Sequence, residues 1–187
     1  MCSPAKPWLL LIMLGCSSVL LAQDSMHGRQ ASAIQQVRMG LFVHNLGLIA
    51  SRVEHGMDVN IELEFTSLEY LFSAKPTAGA MINTIGYTSY LYSGLAWNFH
   101  WEETDSQSGF FISPFLGVAV HDGKLQPEGD HRGLGCRFLF REAIDIGWRF
   151  NKDWALSIMT DHLSHGGLCE NRNQGLDNPG IRLHWRL

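Results

Sequence analysis

Charge is scarce in this chain. Asp, Glu, Lys and Arg make up 17% of 187 residues, and the formal net charge is −4. No basic field is present to recruit nucleic acid. Past residue 22 no apolar run is long enough to cross a bilayer as a helix. Whatever crosses a membrane after that point must do so as strands. Cysteine is scarce too. Of four, Cys2 and Cys16 fall in the apolar leader, leaving only Cys136 and Cys169 for a disulfide, too few for a disulfide-built scaffold. Tight metal-ligand spacing is also missing. His121, Asp122, Asp130 and His131 are scattered through one polar stretch, which reads as a solvated loop with no metal and no cofactor.

What is present is aromatic and glycine content, at 11% and 19 residues, which suits a β protein. Residues 1–22 read as an export signal: Lys6 supplies the basic start, "WLLLIMLGCSSVLL" the apolar core, and Ala22 a small residue for cleavage. Residues 23–34 then form a polar periplasmic segment, and 35–187 one domain.

Within 35–187 the apolar residues recur with period two. "DVNIELEF" sets Val59, Ile61, Leu63 and Phe65 against Asp58, Asn60, Glu62 and Glu64, the signature of a strand with one greasy and one polar face. The same pattern runs through Leu91 to Trp101, Phe110 to Val120, Phe138 to Phe150, Trp154 to Ile158 and Ile181 to Leu187. It predicts eight strands, at 35–46, 55–65, 79–87, 89–102, 109–121, 135–150, 153–164 and 177–187. The third has no clear apolar face, and a short helix ended before Pro76 is expected ahead of it.

Alternation alone does not say which face looks outward. A soluble exported barrel of the lipocalin kind would turn the apolar face in, and a membrane barrel would turn it out. Three features favour the membrane. Aromatic residues gather at strand ends: Trp97, Phe99 and Trp101, then Trp148, Phe150 and Trp154, then Trp185. The opposite face carries charges that a small lumen can pair, among them Glu62, Glu64, Arg137, Arg141, Asp145 and Arg149. The chain also ends inside an alternating strand. The expected fold is therefore all-β, an eight-stranded antiparallel transmembrane β-barrel of the bacterial outer membrane. Even-to-odd connections such as 103–108 and 151–153 are short, and 121–134 is a long outer loop.

On this parity strand seven runs outward. Counting by twos from Trp154 through Leu156, Ile158 and Thr160 reaches His162 and Ser164, on the lipid-facing side near the outer rim. Asp177 is in phase with Ile181, Leu183 and Trp185 on the next strand. A nucleophile, a base and an orienting acid converge at headgroup depth, which suits ester hydrolysis in a lipid. Backbone N–H groups at Gly166 and Gly167 are placed to hold an oxyanion. The plainer readings remain open. Asp177 precedes Pro179 and suits a turn, the glycines suit a loop, and Glu170 is a rival acid. Glu142 falls on the lipid-facing parity, where a charge is costly unless a bulge re-aims it. Cys136 and Cys169 fall near the same rim.

The stretch "HLSHGGLCENRNQGLDNPGIRL" resembles the H-x-S-N-(A/G)-x-L … N-x-G-(I/L)-(E/D) signature of the PagL family, the lipid A 3-O-deacylases. "AMINTIGYTSYLYSGLAW", "GVAVHDG" and "LGCRFLFREAIDIGWRF" extend the likeness over most of 35–187. The resemblance implies an outer-membrane barrel that removes an ester-linked 3-hydroxyacyl chain from lipid A without a metal. It carries the nucleophile to Ser164, the base to His162, the acid to Asp177 and a supporting amide to Asn173. One position departs: His165 stands where the family usually has Asn directly after the serine. A neutral His donates one hydrogen bond with a different reach. The implied partners are lipopolysaccharide, the surrounding lipids and, as an option, a second copy of the chain. The rival reading is a barrel of the same shape with a structural or binding role.

Overall fold

The computed structural model describes residues 33–46, 54–102, 107–169 and 174–187. The expected export signal, the segment up to residue 32, Glu170 and Asn173 lie outside the described residues.

Nine β segments follow in chain order: β1 Ile34–Val43, β2 Met57–Phe65, β3 Lys75–Asn83, β4 Tyr90–Ala96, β5 Phe99–Glu102, β6 Gly109–His121, β7 Phe138–Arg149, β8 Trp154–Ser164 and β9 Leu176–Arg186. Segments β4 and β5 both pair with β6 and are two halves of one stave. All neighbours are antiparallel, β9 pairs back onto β1, and β4 pairs with β6, so the eight staves close. Closure pairs the staves around the full circle, which is how a sheet spans a bilayer without open edges.

Two expectations about the strands need correcting. The third stave spans Lys75–Asn83 rather than 79–87. Its inward positions Thr77, Gly79 and Met81 are mostly small, so hydrophobicity hid it. Gly79 faces the Tyr92 ring, where a Cβ would stand 2.5 Å from the phenolic oxygen. Pro76 is accommodated because the ladder with β2 ends at Thr77↔Glu64, before the proline. The expected helix reduces to a single 3-10 turn, Glu69–Leu71. The fourth stave breaks at Trp97 and Asn98, opposite Pro114, whose carbonyl accepts the Trp97 N–H (3.0 Å) but which has no N–H to return.

The faces are inverted relative to a soluble protein. Met39, Leu41, Val59, Ile61, Leu91, Leu116, Val118, Ile146, Leu156, Ile158 and Ile181 are exposed, while Arg38, Glu62, Glu64, Arg141, Asp145 and Arg182 are buried. Water would punish such an outer wall, and hydrocarbon accepts it. Trp101 lies against Phe110 (5.7 Å between ring centroids) and Trp154 stacks on Trp185 (5.8 Å), both at the short-turn end, as part of an interfacial aromatic belt.

Inside, the lower half is filled by ion pairs. Glu62 accepts from Arg38 (2.6 Å) and Arg182 (2.5 Å), Glu64 pairs with Arg38 and Lys75, and Arg182 also reaches Asp145 (3.1 Å). Higher up, Phe42, Met81, Tyr90, Tyr92, Phe115, Leu139, Met159 and Leu163 form an apolar plug. Each charge in this ion-pair network has an opposite partner, which offsets the cost of taking it out of water.

Candidate active site

His162 and Asp177 are directly opposed in the β8–β9 ladder. Both point outward, because their chain neighbours Asp161, Leu163, Leu176 and Asn178 are buried. Nδ1 of His162 lies 2.6 Å from Oδ1 of Asp177, within hydrogen-bond distance. Their side chains are 46% and 31% exposed, so a lipid in the outer wall can reach them. With Nδ1 engaged by a carboxylate, Nε2 is the nitrogen left to exchange protons. Ser164 ends β8 on the same face, two residues beyond His162 and opposite Phe140. Among the described residues no hydrogen bond joins its hydroxyl to the imidazole.

The backing of this pair is rigid. Directly behind it on the lumen side, Asp161 accepts from the Tyr90 hydroxyl (2.6 Å) and Arg141 Nε (2.8 Å). Asn178 donates to the Tyr90 oxygen (3.0 Å) and accepts from the Asn45 N–H (2.8 Å). The Arg141 guanidinium lies 3.8 Å from the centroid of the Tyr92 ring. Strands β8 and β9 are thus tied to β4 and β7 from within, which fixes the Cα positions that carry His162 and Asp177.

Past Ser164 the chain turns sharply. Gly166 and Gly167 have φ of +56° and +79°, and Leu168 N–H returns to the His165 carbonyl (2.9 Å). Two consecutive left-handed residues under such a bond are what a mirror-image turn demands, so the glycines have a conformational reason to be there. His165 is buried, and its Nδ1 accepts the Gly167 N–H at 3.1 Å. Of the two backbone donors expected for an oxyanion, Gly167 is therefore engaged locally, and the Gly166 N–H has no partner among the described residues.

Below the pair the outer wall is hollowed into a groove of about 840 Å³, lined by Leu46, Pro114, Leu116, Ile144, Thr160 and Pro179, with His162 and Asp177 at one side. Its size is that of a site for a small ligand or a flexible chain. Glu142 also lines it, directly opposite His162 in the β7–β8 ladder. No bulge re-aims this carboxylate: the ladders on both sides of it run without a register shift. The imidazole thus sits between Asp177 on one strand and Glu142 on the other. Strand phase had marked Glu142 only as an oddity, because register across strands was needed to set it beside His162.

Cys136 and Cys169 form a disulfide with Cα atoms 6.2 Å apart, joining the segment before β7 to the turn after β8. The scattered His121, Asp122, Asp130 and His131 do not assemble a site. His121 bonds the Cys136 carbonyl (2.5 Å), Asp122 accepts the Ser89 N–H (2.7 Å), and Asp130 takes the Tyr87 hydroxyl. Among the described residues no cluster of metal-ligating groups is present.

A further rim network was not foreseen from sequence. Glu54, fully buried, accepts from His44 Nε2 (2.8 Å), the Thr88 hydroxyl (3.2 Å) and the Arg132 N–H (2.9 Å), while His44 Nδ1 meets Asp58 (2.8 Å). Burial works against a charged imidazole, but the hydrogen bonds to Asp58 and Glu54 and their charges outweigh it and raise His44 to about 9. Burial likewise opposes the Glu54 carboxylate, and the hydrogen bonds from His44 and the Arg132 backbone hold it below the usual range.

The family model for PagL, lipid A 3-O-deacylase, matches residues 56–186. Among solved structures, the outer membrane enzyme PagL superposes with a TM-score of 0.61 at 20% identity, covering 79% of this chain and 97% of that one. Neisserial surface protein A superposes at 0.51 with 10% identity, covering 83% and 98%. Likeness at these identities establishes the barrel fold. No curated protein sequence matches the chain.

Proposed function

On the premise that this chain belongs to the PagL family of lipid A 3-O-deacylases, outer-membrane β-barrel enzymes, we propose that it works as a serine esterase with Ser164, His162 and Asp177 as its triad. The observation that carries the proposal is the 2.6 Å His162–Asp177 contact on the lipid-facing wall, beside an apolar groove.

The chemistry follows from the positions. The Ser164 oxygen attacks the carbonyl of the ester at the 3 position of lipid A, and Nε2 of His162 takes its proton. Asp177 holds the tautomer and stabilises the imidazolium. Collapse of the tetrahedral intermediate breaks the ester bond, and the imidazolium protonates the departing sugar oxygen. Water, deprotonated by the same imidazole, then releases the 3-hydroxyacyl chain as a fatty acid and restores the serine. The Gly166 N–H and the Asn173 amide are the proposed oxyanion donors, with the buried His165 holding the turn through its bond to Gly167. The groove accommodates the acyl chain, whose burial supplies binding energy away from the reacting centre. Residues 1–22 act as the export signal.

The second reading, a barrel without catalysis, is favoured by one feature: His165 replaces the usual Asn and is buried. Expression in a host outer membrane, followed by lipid A mass spectrometry, separates the two. The enzyme reading expects wild type to remove one hydroxyacyl chain and Ser164→Ala to leave lipid A intact. Unchanged lipid A with wild type sinks it.

A further inference from the structure

The acid and the base sit on rigid strands, but Asp177 lies only one residue inside the start of β9. What holds that strand end is not in the strand. Arg132, in the connection between β6 and β7, is 3% exposed. Its Nη1 donates to the Gly175 carbonyl (2.8 Å) and also to the Gln174 carbonyl. The next residue extends the grip: the Gly133 N–H donates to Gln174 Oε1 (2.8 Å), and the Gln174 N–H donates to the Gly133 carbonyl (3.2 Å). Arg132 is itself fixed through its own N–H, which donates to Glu54.

Gly175 connects this grip to the imidazole. Its φ is +63°, and a Cβ built on it would lie 3.1 Å from Cε1 of His162. The backbone at Gly175 is thus in close approach to the ring, two residues before the carboxylate that binds the same ring. Any shift of residues 174–175 displaces the seat of His162 and the origin of Asp177 together. A guanidinium suits the task because the two N–H bonds of Nη1 are fixed in the guanidinium plane and meet two successive carbonyls, where the ammonium of Lys rotates freely on a flexible stem.

We infer that Arg132 is a positioning residue for the reaction, clamping the 174–175 carbonyls so that Asp177 and the Gly175 backbone hold the His162 imidazole in register. This rests on the triad reading above. Arg132 touches neither substrate nor the reacting atoms and acts through the strand end. Its loss loosens the His162–Asp177 contact, which leaves Glu142 as the other charged group facing the ring. With Asp177 displaced, the ring loses the partner that fixes its tautomer, and the hydrogen bond at Nδ1 weakens.

The test compares Arg132→Ala, Arg132→Lys and a loop control, Arg137→Ala, with wild type in detergent micelles. Arg137 donates to the His121 and Gly123 carbonyls within its own loop and does not reach β9. Each protein is followed by its kcat and KM on lipid A and by the ¹H NMR resonance of the ¹⁵N-labelled His162 ring N–H that bonds Asp177. Arg132→Ala is expected to lose about 10–100-fold in kcat with KM little changed, the scale on which small misplacements act. Its His162 ring N–H resonance should lose its downfield position, Arg132→Lys should fall between, and Arg137→Ala should match wild type. A wild-type His162 ring N–H resonance in Arg132→Ala overturns the clamp, as does a defect confined to KM. The triad reading fails separately, through activity retained by Ser164→Ala, and the ring N–H resonance still decides the clamp in that event. Should Arg132→Ala not reach the folded, heat-modifiable form, Arg132→Lys and Arg132→Gln carry the same comparison.

Discussion

His162 and Asp177 meet across a single rung of the β8–β9 ladder, Nδ1 to Oδ1 at 2.6 Å, on the side of the barrel that faces lipid. Asp177→Asn keeps the size of the side chain but can present its amide to the ring in the wrong sense and no longer stabilises the imidazolium. The expected loss in kcat is about 10²–10⁴-fold, with barrel folding intact. Steady-state deacylation of purified lipid A measures it. Full activity in the variant would remove Asp177 from the mechanism.

Glu62 lies between two guanidiniums, those of Arg38 and Arg182, with all three side chains nearly inaccessible. Glu62→Ala leaves both cations facing each other without their shared counter-charge. The barrel should lose about 3–5 kcal/mol. The denaturant midpoint of the folded, heat-modifiable form in micelles reads this directly, and an unshifted midpoint would show that the lumen has rearranged around the gap.

The Cys136–Cys169 bridge spans 33 residues and ties the turn after Ser164 to the base of the long outer loop. Reduction, or Cys136→Ser with Cys169→Ser, should destabilise the rim by about 2–4 kcal/mol while the staves remain closed. The expected signature is faster protease cutting at the outer loops with an unchanged far-ultraviolet β spectrum. Equal cutting rates would mean that the Arg132 and Glu54 contacts hold the loop unaided.

The rim should also respond to pH in a defined direction. His44 is raised to about 9, so its stabilising contribution is complete below its unfolded value of about 6.5 and is lost as pH climbs through 9. Glu54 is lowered, so its contribution is present above its unfolded value of about 4.5 and disappears as pH falls through the folded one. Loop protection against protease should therefore be greatest between roughly pH 5 and 6.5, decline between there and about 9, and weaken again in acid. His44→Gln should abolish the alkaline limb. A limb that survives this substitution belongs to another group.

Much of the architecture was readable from single strands. Period-two alternation located seven of the staves closely, because each repeats large apolar residues at alternate positions on its outer face. The third escaped, since Gly79 and Thr77 face a lumen already occupied by the Tyr92 ring and offer no contrast. Phase on one strand also set His162 and Ser164 on the lipid side, and Asp177 likewise on the next. It could not set Glu142 opposite His162, or Gly175 beneath the ring, because those relations depend on register between strands. Nor could it find Arg132, whose partners lie 42 and 43 residues away in sequence.

The chain's own order of residues determined the secondary-structure type, the inverted wetting of the wall and the face on which the reactive groups stand. Those depend on local alternation and on which solvent accepts each face. Tertiary structure alone decided the distances: the 2.6 Å contact, the groove beside it and the loop arginine gripping the strand end. Closing a barrel converts a period of two into fixed cross-strand neighbours, and that conversion needs a register that no single strand contains.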